Sequence, residues 1–188
     1  MPRSARAAAA AVIAAIFASS PGWAPGRVWA TDHIYSYEAS SPAARTLAPT
    51  GLTFEFSRHL MGGARVRRII QTGERGEANV KPGSDGALGG GGLKAALAGA
   101  RPVGDLYEIE PEGDGRAFIQ AVCPGAERAW LVIGPLDRFR DLKIQTVGKP
   151  AGAAAAHGCA ALEFVYHSEW NLPPDRSPPK ARFPTNQP

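Results

Sequence analysis

Apolar and polar residues alternate most cleanly between Leu52 and Ser57. Leu52, Phe54 and Phe56 fall on one side; Thr53, Glu55 and Ser57 fall on the other. A period of two belongs to a half-buried strand. The same pattern, or a short β-rich apolar run, recurs along the chain. Thr31 to Ser40, with Ile34, Tyr35 and Tyr37, reads as containing a first short strand, and Val66 to Gln71 as the return of Leu52 to Ser57 through a turn at Gly62-Gly63. Ala78 to Lys81 follows a second turn bracketed by Gly73 and Gly76. Leu106 to Glu110 places Tyr107 and Ile109 on one face. Adjacent runs joined by short turns predict an antiparallel meander.

The stretch from Phe118 to Tyr166 carries the densest apolar content. Phe118 to Cys123 and Ala129 to Ile133 are apolar on both faces and predict central strands, covered by a helix or a second sheet. Asp114-Gly115 reads as a hairpin turn into the first of them. Leu142 to Val147 alternates more weakly, with Leu142 and Ile144 inward. In the long run from Cys159 to Trp170, Ala160, Leu162, Phe164, Tyr166 and Trp170 share one face. Glu163, His167 and Glu169 share the other.

Two short helices fit between the strands. Ser41-Pro42 is an N-cap followed by proline at the first helical position, ahead of Ala43, Ala44 and Leu47. Leu93 to Ala100 offers a second, behind Pro82 to Gly92, in which glycine holds six of eleven positions. So much glycine is expensive in backbone entropy and predicts a loop rather than an ordered element. The fold class expected is α+β, mostly β: an antiparallel meander or sandwich-like sheet of about eight strands with two short helices.

The ends of the 188-residue chain depart from this pattern. Arg3 and Arg6 precede Ala7 to Ala18, twelve apolar residues without a charge. That is a secretory h-region and is short of the roughly 20 residues of a membrane span. Val28-Trp29-Ala30 supplies a small-residue cleavage site, so residues 1–30 are expected to be a signal peptide. Residues 31–172 then form one globular domain. Residues 173–188 contain six prolines and predict a disordered tail. Export implies a periplasmic or secreted protein, with no transmembrane span once the signal is cleaved.

Destination changes how charge and cysteine are read. The chain has 21 basic and 17 acidic residues, a balance of +4. Arg3, Arg6 and Arg27 leave with the signal, and 18 against 17 gives +1. A nucleic-acid binder needs a basic face, so nucleic acid is not an expected partner. Cys123 and Cys159 are the only two cysteines. In an oxidising compartment they predict one disulfide. A flat meander would set them too far apart for it, since the Cα atoms must come within about 7 Å. The bond therefore requires the sheet to fold over, or the last strand to lie beside the Cys123 segment.

Chemistry is thinly marked. Glu163, His167 and Glu169 are the weak catalytic candidates, with His157 nearby, but alternate strand positions lie about 6–7 Å apart. A solvated polar face is the competing reading. Arg58, Arg65 and Arg67, with Arg68, cluster around the Gly62-Gly63 turn. Their forks suit carboxylate or phosphate groups; cross-strand pairs with Glu55, Glu74 or Glu77 are the alternative. Trp170 is a fourth ligand-binding candidate, able to stack on a sugar or an apolar group. Glu108, Glu110, Glu112 and Asp114 make an acidic run without the spacing of a calcium loop. Gly89 to Gly92 lacks the Walker pattern, since Ala95 follows Lys94. No metal and no cofactor are expected.

The function expected is a non-catalytic binding or structural domain of the cell envelope, with an unidentified envelope partner or ligand. Two alternatives stand beside it. One is an envelope hydrolase or metal-assisted enzyme built on Glu163, His167 and Glu169. The other is a small-ligand carrier with a cavity between Trp130, Phe164 and Tyr166.

Overall fold

The computed structural model describes residues 32–58, 63–72 and 76–171. The proposed signal peptide and the proline-rich tail lie outside them. Eight antiparallel strands, β1 (Asp32–Ala39), β2 (Leu52–Arg58), β3 (Ala64–Gln71), β4 (Glu77–Pro82), β5 (Asp105–Ile109), β6 (Ala126–Ile133), β7 (Leu142–Pro150) and β8 (His157–Asn171), pair in sequence order. β8 then returns to pair with β1, from Ala39↔Phe164 to His33↔Asn171. The sheet is thus a closed up-and-down barrel, which leaves no strand edge unpaired. The mostly-β class agrees with the sequence; the meander closes on itself, because a sheet with a continuous inward apolar row can bury it only by curling or by acquiring a second layer.

Inward positions fill the barrel. Tyr35, Tyr37, Phe54, Phe56, Ile69 and Phe164 are all buried, at 1% exposure or less. The outward positions Glu38, Glu55, Arg65 and Arg67 are charged, where a membrane barrel carries an apolar band. Among the described residues no helix is long and apolar enough to cross a membrane.

Three helices interrupt the strands. α1 (Pro42–Leu47) forms as the sequence dictates, with Ser41 Oγ accepting from the Ala44 amide at 3.2 Å. α2 (Gly92–Ala96) follows a 3-10 turn at Asp85–Leu88. This glycine-rich segment was expected to be an unstructured loop, and it is ordered instead. Gly89 bridges to Ala155, and the Asp85 carboxylate accepts from the Leu93 amide at 2.6 Å. Leu88 and Ala96 pack with Trp130, Val147 and Ala156 on the outside of the barrel. That packing covers the outer face of β6, so β6 is apolar on both sides as its sequence requires.

α3 (Gly115–Val122) overturns the strand expected at Phe118 to Cys123. A short apolar run fits either period. Here Phe118, Ile119 and Val122 share a helical face and are buried, while Gln120 turns away and holds the chain beyond, donating to the Ala126 carbonyl at 2.6 Å. Asp114-Gly115 starts this helix instead of a hairpin. α1 and α3 both lie at the end of the barrel where β2, β4, β6 and β8 begin, and plug it. The other end, where β1, β3, β5 and β7 begin, is called the mouth.

The disulfide forms: Cys123 and Cys159 are bonded, with Cα atoms 5.5 Å apart. Cys123 follows the last turn of α3 and Cys159 lies in β8, so the bond staples the plug to the barrel wall. The sheet does fold over, closing into the barrel, but the alternative of β8 lying beside a Cys123 strand does not apply, because Cys123 caps α3 and belongs to no strand.

Candidate functional site

The inward row of β2 does not stop at Phe56. Leu52, Phe54, Phe56 and Arg58 continue one parity, and Arg58 is carried inward at the mouth. Its Nη2 donates to the Tyr35 hydroxyl (3.1 Å) and to the Leu136 carbonyl (2.7 Å). Its guanidinium carbon lies 5.7 Å from the Tyr35 ring centroid and 5.6 Å from that of Phe56. Nε and Nη1 have no hydrogen-bond partner among the described residues.

The arginine group read from sequence therefore divides. A bulge between Glu55 and Phe56 in the β2–β3 pairing leaves Arg67 as the extra residue. Arg65, Arg67 and Arg68 lie on the outer wall. Arg67 meets Asp32 at 3.2 Å; Arg68 bonds Glu55 at 2.6 Å and Glu77 at 3.1 Å. The bond to Glu55 raises the Arg68 pKa above its ordinary value, with Glu77 adding to it. Arg58 alone faces the mouth. The parity of β2 was the available signal, and the glycine turn hid it.

A second bulge reorganises β8. Tyr37 pairs with Tyr166, but Ser36 pairs with Ser168, so His167 is an extra residue. Beyond it the two faces exchange. Glu169, expected beside Glu163 and His167, pairs with Tyr35 and turns inward. Trp170, expected on the inward face, is 65% exposed. The three catalytic candidates do not come together. Glu163 meets Lys143 at 3.1 Å and His167 meets Glu38 at 3.0 Å, both on the outside. Glu169 sits at the mouth between Arg138, whose Nη2 donates to it at 2.9 Å, and His33, at 3.3 Å. Burial pushes the Glu169 carboxyl up, but Arg138 and His33 together outweigh it and hold its pKa below the usual value.

The segment from Gly134 to Asp141 crosses the mouth. Arg58 holds it at Leu136, Glu169 holds it at Arg138, and the Phe139 ring lies edge-on to Tyr166 at 5.4 Å. Phe139 takes a positive φ of 59° and is 84% exposed. Beneath the segment lies a cavity of about 210 Å³. Val66, Ile133 and Leu136 line it with apolar surface; Arg58, Asp105 and Asp137 supply charge. The Tyr107 ring forms part of the wall, its hydroxyl donating to the Ala64 carbonyl at 3.1 Å. Burial raises the Tyr107 pKa, the Val66 amide pulling against it.

The cavity read from sequence between Trp130, Phe164 and Tyr166 is not there. Phe164 is inside the barrel and Trp130 packs outside it, in separate apolar clusters. Compared with known proteins, the chain matches no family model, no curated protein and no solved structure. The class defined by fold and site is a closed eight-stranded barrel with one plugged end and a charged, aromatic mouth.

Proposed function

We propose that this is an exported, non-catalytic binding domain, and that its ligand seats in the mouth beneath Gly134–Asp141. One observation carries the reading: a half-buried Arg58, with Nε and Nη1 uncommitted among the described residues, at the head of a cavity of about 210 Å³. Concave sites with apolar walls and a few convergent polar groups are where small molecules bind. A dry cavity of about 150 Å³ accommodates benzene, so the ligand is of single-ring size. Its body contacts Val66, Ile133 and Leu136. An acceptor oxygen faces Arg58, and a donor faces Asp105 or Asp137. The disulfide supports export, since such bonds persist in oxidising compartments. The separation of Glu163, His167 and Glu169 removes support from a hydrolytic centre built on them.

The test is an amide-shift titration of the purified domain with single-ring acids, amides and sugars. Binders should shift the Gly104, Tyr107 and Gly134 amides. Ala64→Phe, which fills the cavity from its wall, should abolish those shifts. Shifts that survive Ala64→Phe, or a panel that leaves the mouth amides unmoved, would count against this reading.

A further inference from the structure

At the opposite end of the barrel the fold brings Cys123 against His157 and Cys159, which lie two residues apart at the start of β8. The ligand-capable atoms of Cys123, His157 and Cys159 all lie within 4.8 Å of one another. The disulfide accounts for the two sulfurs but not for His157. His157 is placed by register: it pairs across β7–β8 with Gly148. Gly148 has no side chain, and a Cβ there would collide with Cys123 Sγ. The missing side chain leaves the space that the Cys123 sulfur occupies, beside the strand partner of His157. Cys123 is buried, Cys159 half-buried and His157 exposed. Beside them runs an open groove of about 490 Å³ between α2 and β8, lined by Leu97, Gln145, His157 and Cys159 among others.

We infer that reduction converts this disulfide into a zinc site with Cys123, Cys159 and His157 as ligands. Two thiolates and one imidazole, with the fourth position open, is a donor set that zinc accepts. Zinc takes sulfur at about 2.3 Å and nitrogen at about 2.0–2.1 Å, so the ligands need shift only modestly about the present geometry. Two of the three ligands, His157 and Cys159, line the groove, which gives solvent or a further ligand access to the ion. The chemistry balances with a dithiol as reductant. The dithiol gives up two electrons and two protons and becomes a disulfide; the Cys123–Cys159 bond breaks to two thiols. Zinc then binds the thiolates, and their two protons pass to solvent. The ion restores the link between α3 and β8 that reduction removes, so the plug stays attached in both redox states.

This inference is independent of the mouth. The test reduces the domain with dithiothreitol, desalts it without oxygen and titrates it with cobalt(II), then zinc. The reduced protein should bind one equivalent of cobalt with a thiolate-to-metal charge-transfer band. Zinc should displace it and raise the melting temperature of the reduced form. His157→Ala, an exposed change that leaves both cysteines and their disulfide intact, should weaken cobalt binding roughly tenfold or more. Absence of the band in reduced protein, equal affinity in His157→Ala, or equal binding by the oxidised form would each overturn the proposal.

Discussion

The Tyr37 hydroxyl is buried without a hydrogen-bond partner among the described residues. A buried, unpaired polar group costs about 1–3 kcal/mol. Tyr37→Phe is therefore expected to leave the melting temperature at pH 7 unchanged or raise it; a clear drop would reveal a bond to the hydroxyl. Burial, reinforced by Tyr35 and Tyr166, pushes the Tyr37 pKa well above its ordinary value of 10.0. The sign follows from linkage. The unfolded chain ionises first, so the stability tied to the neutral phenol is full below pH 10 and is lost as pH rises beyond it. Denaturant titrations at rising alkaline pH should show the loss, with a smaller slope in Tyr37→Phe. Arg58 gives a second residue-level expectation. Lysine lacks the planar, delocalised guanidinium that lies against the Tyr35 and Phe56 rings while its Nη2 bonds Leu136. Arg58→Lys should cost about 1–2 kcal/mol and speed hydrogen exchange at Leu136 to Phe139, as read by mass spectrometry.

At the scale of elements, a covalent bond and a capping serine are among the ties that hold the plug, beside its apolar packing and the bonds from Gln71 to the Leu47 carbonyl and from Thr146 to the Val122 carbonyl. The disulfide closes a separation of 36 residues, which the chain-entropy model values at about 4 kcal/mol. Replacing both cysteines with serine should remove up to that amount in denaturant unfolding. Ser41 accepts from the Ala44 amide and, at 3.1 Å, from the Glu163 amide of β8. Ser41→Ala should cost about 1–2 kcal/mol, measured the same way. Ser41-Pro42 was legible because capping chemistry is local. So were the strands at Leu52 and Leu142, whose periods are set by residues two apart, and the β-rich apolar runs at Val66 and Cys159. Phe118 to Cys123 was not, because five apolar residues around the single polar Gln120 carry no period that separates helix from strand. Nor was the mouth: the bulges at Arg67 and His167 are defined only by the partner strand, and each reverses the faces beyond it. The meeting of His157 with Cys123 depends on the β7–β8 register, which no local pattern encodes.

For the whole molecule, closure determines cooperativity. Every strand is paired on both sides, so none can be lost without breaking two ladders. Far-UV circular dichroism and the fluorescence of buried Trp130 should report one coincident unfolding transition. Two separated transitions would mean that α2 and the Asp85–Leu88 turn leave the barrel first. Closure also fixes where the chain comes and goes. His33 and Asn171 are partners across the β1–β8 ladder, so the described domain begins and ends at adjacent points on the rim of the mouth. The Arg58 cavity lies at the same end as both of these points, and the disulfide-stapled end is distal to them. A barrel tethered to a surface through either continuation would therefore turn its mouth toward that surface, and one inserted between two other segments could be carried on both without disturbing a strand.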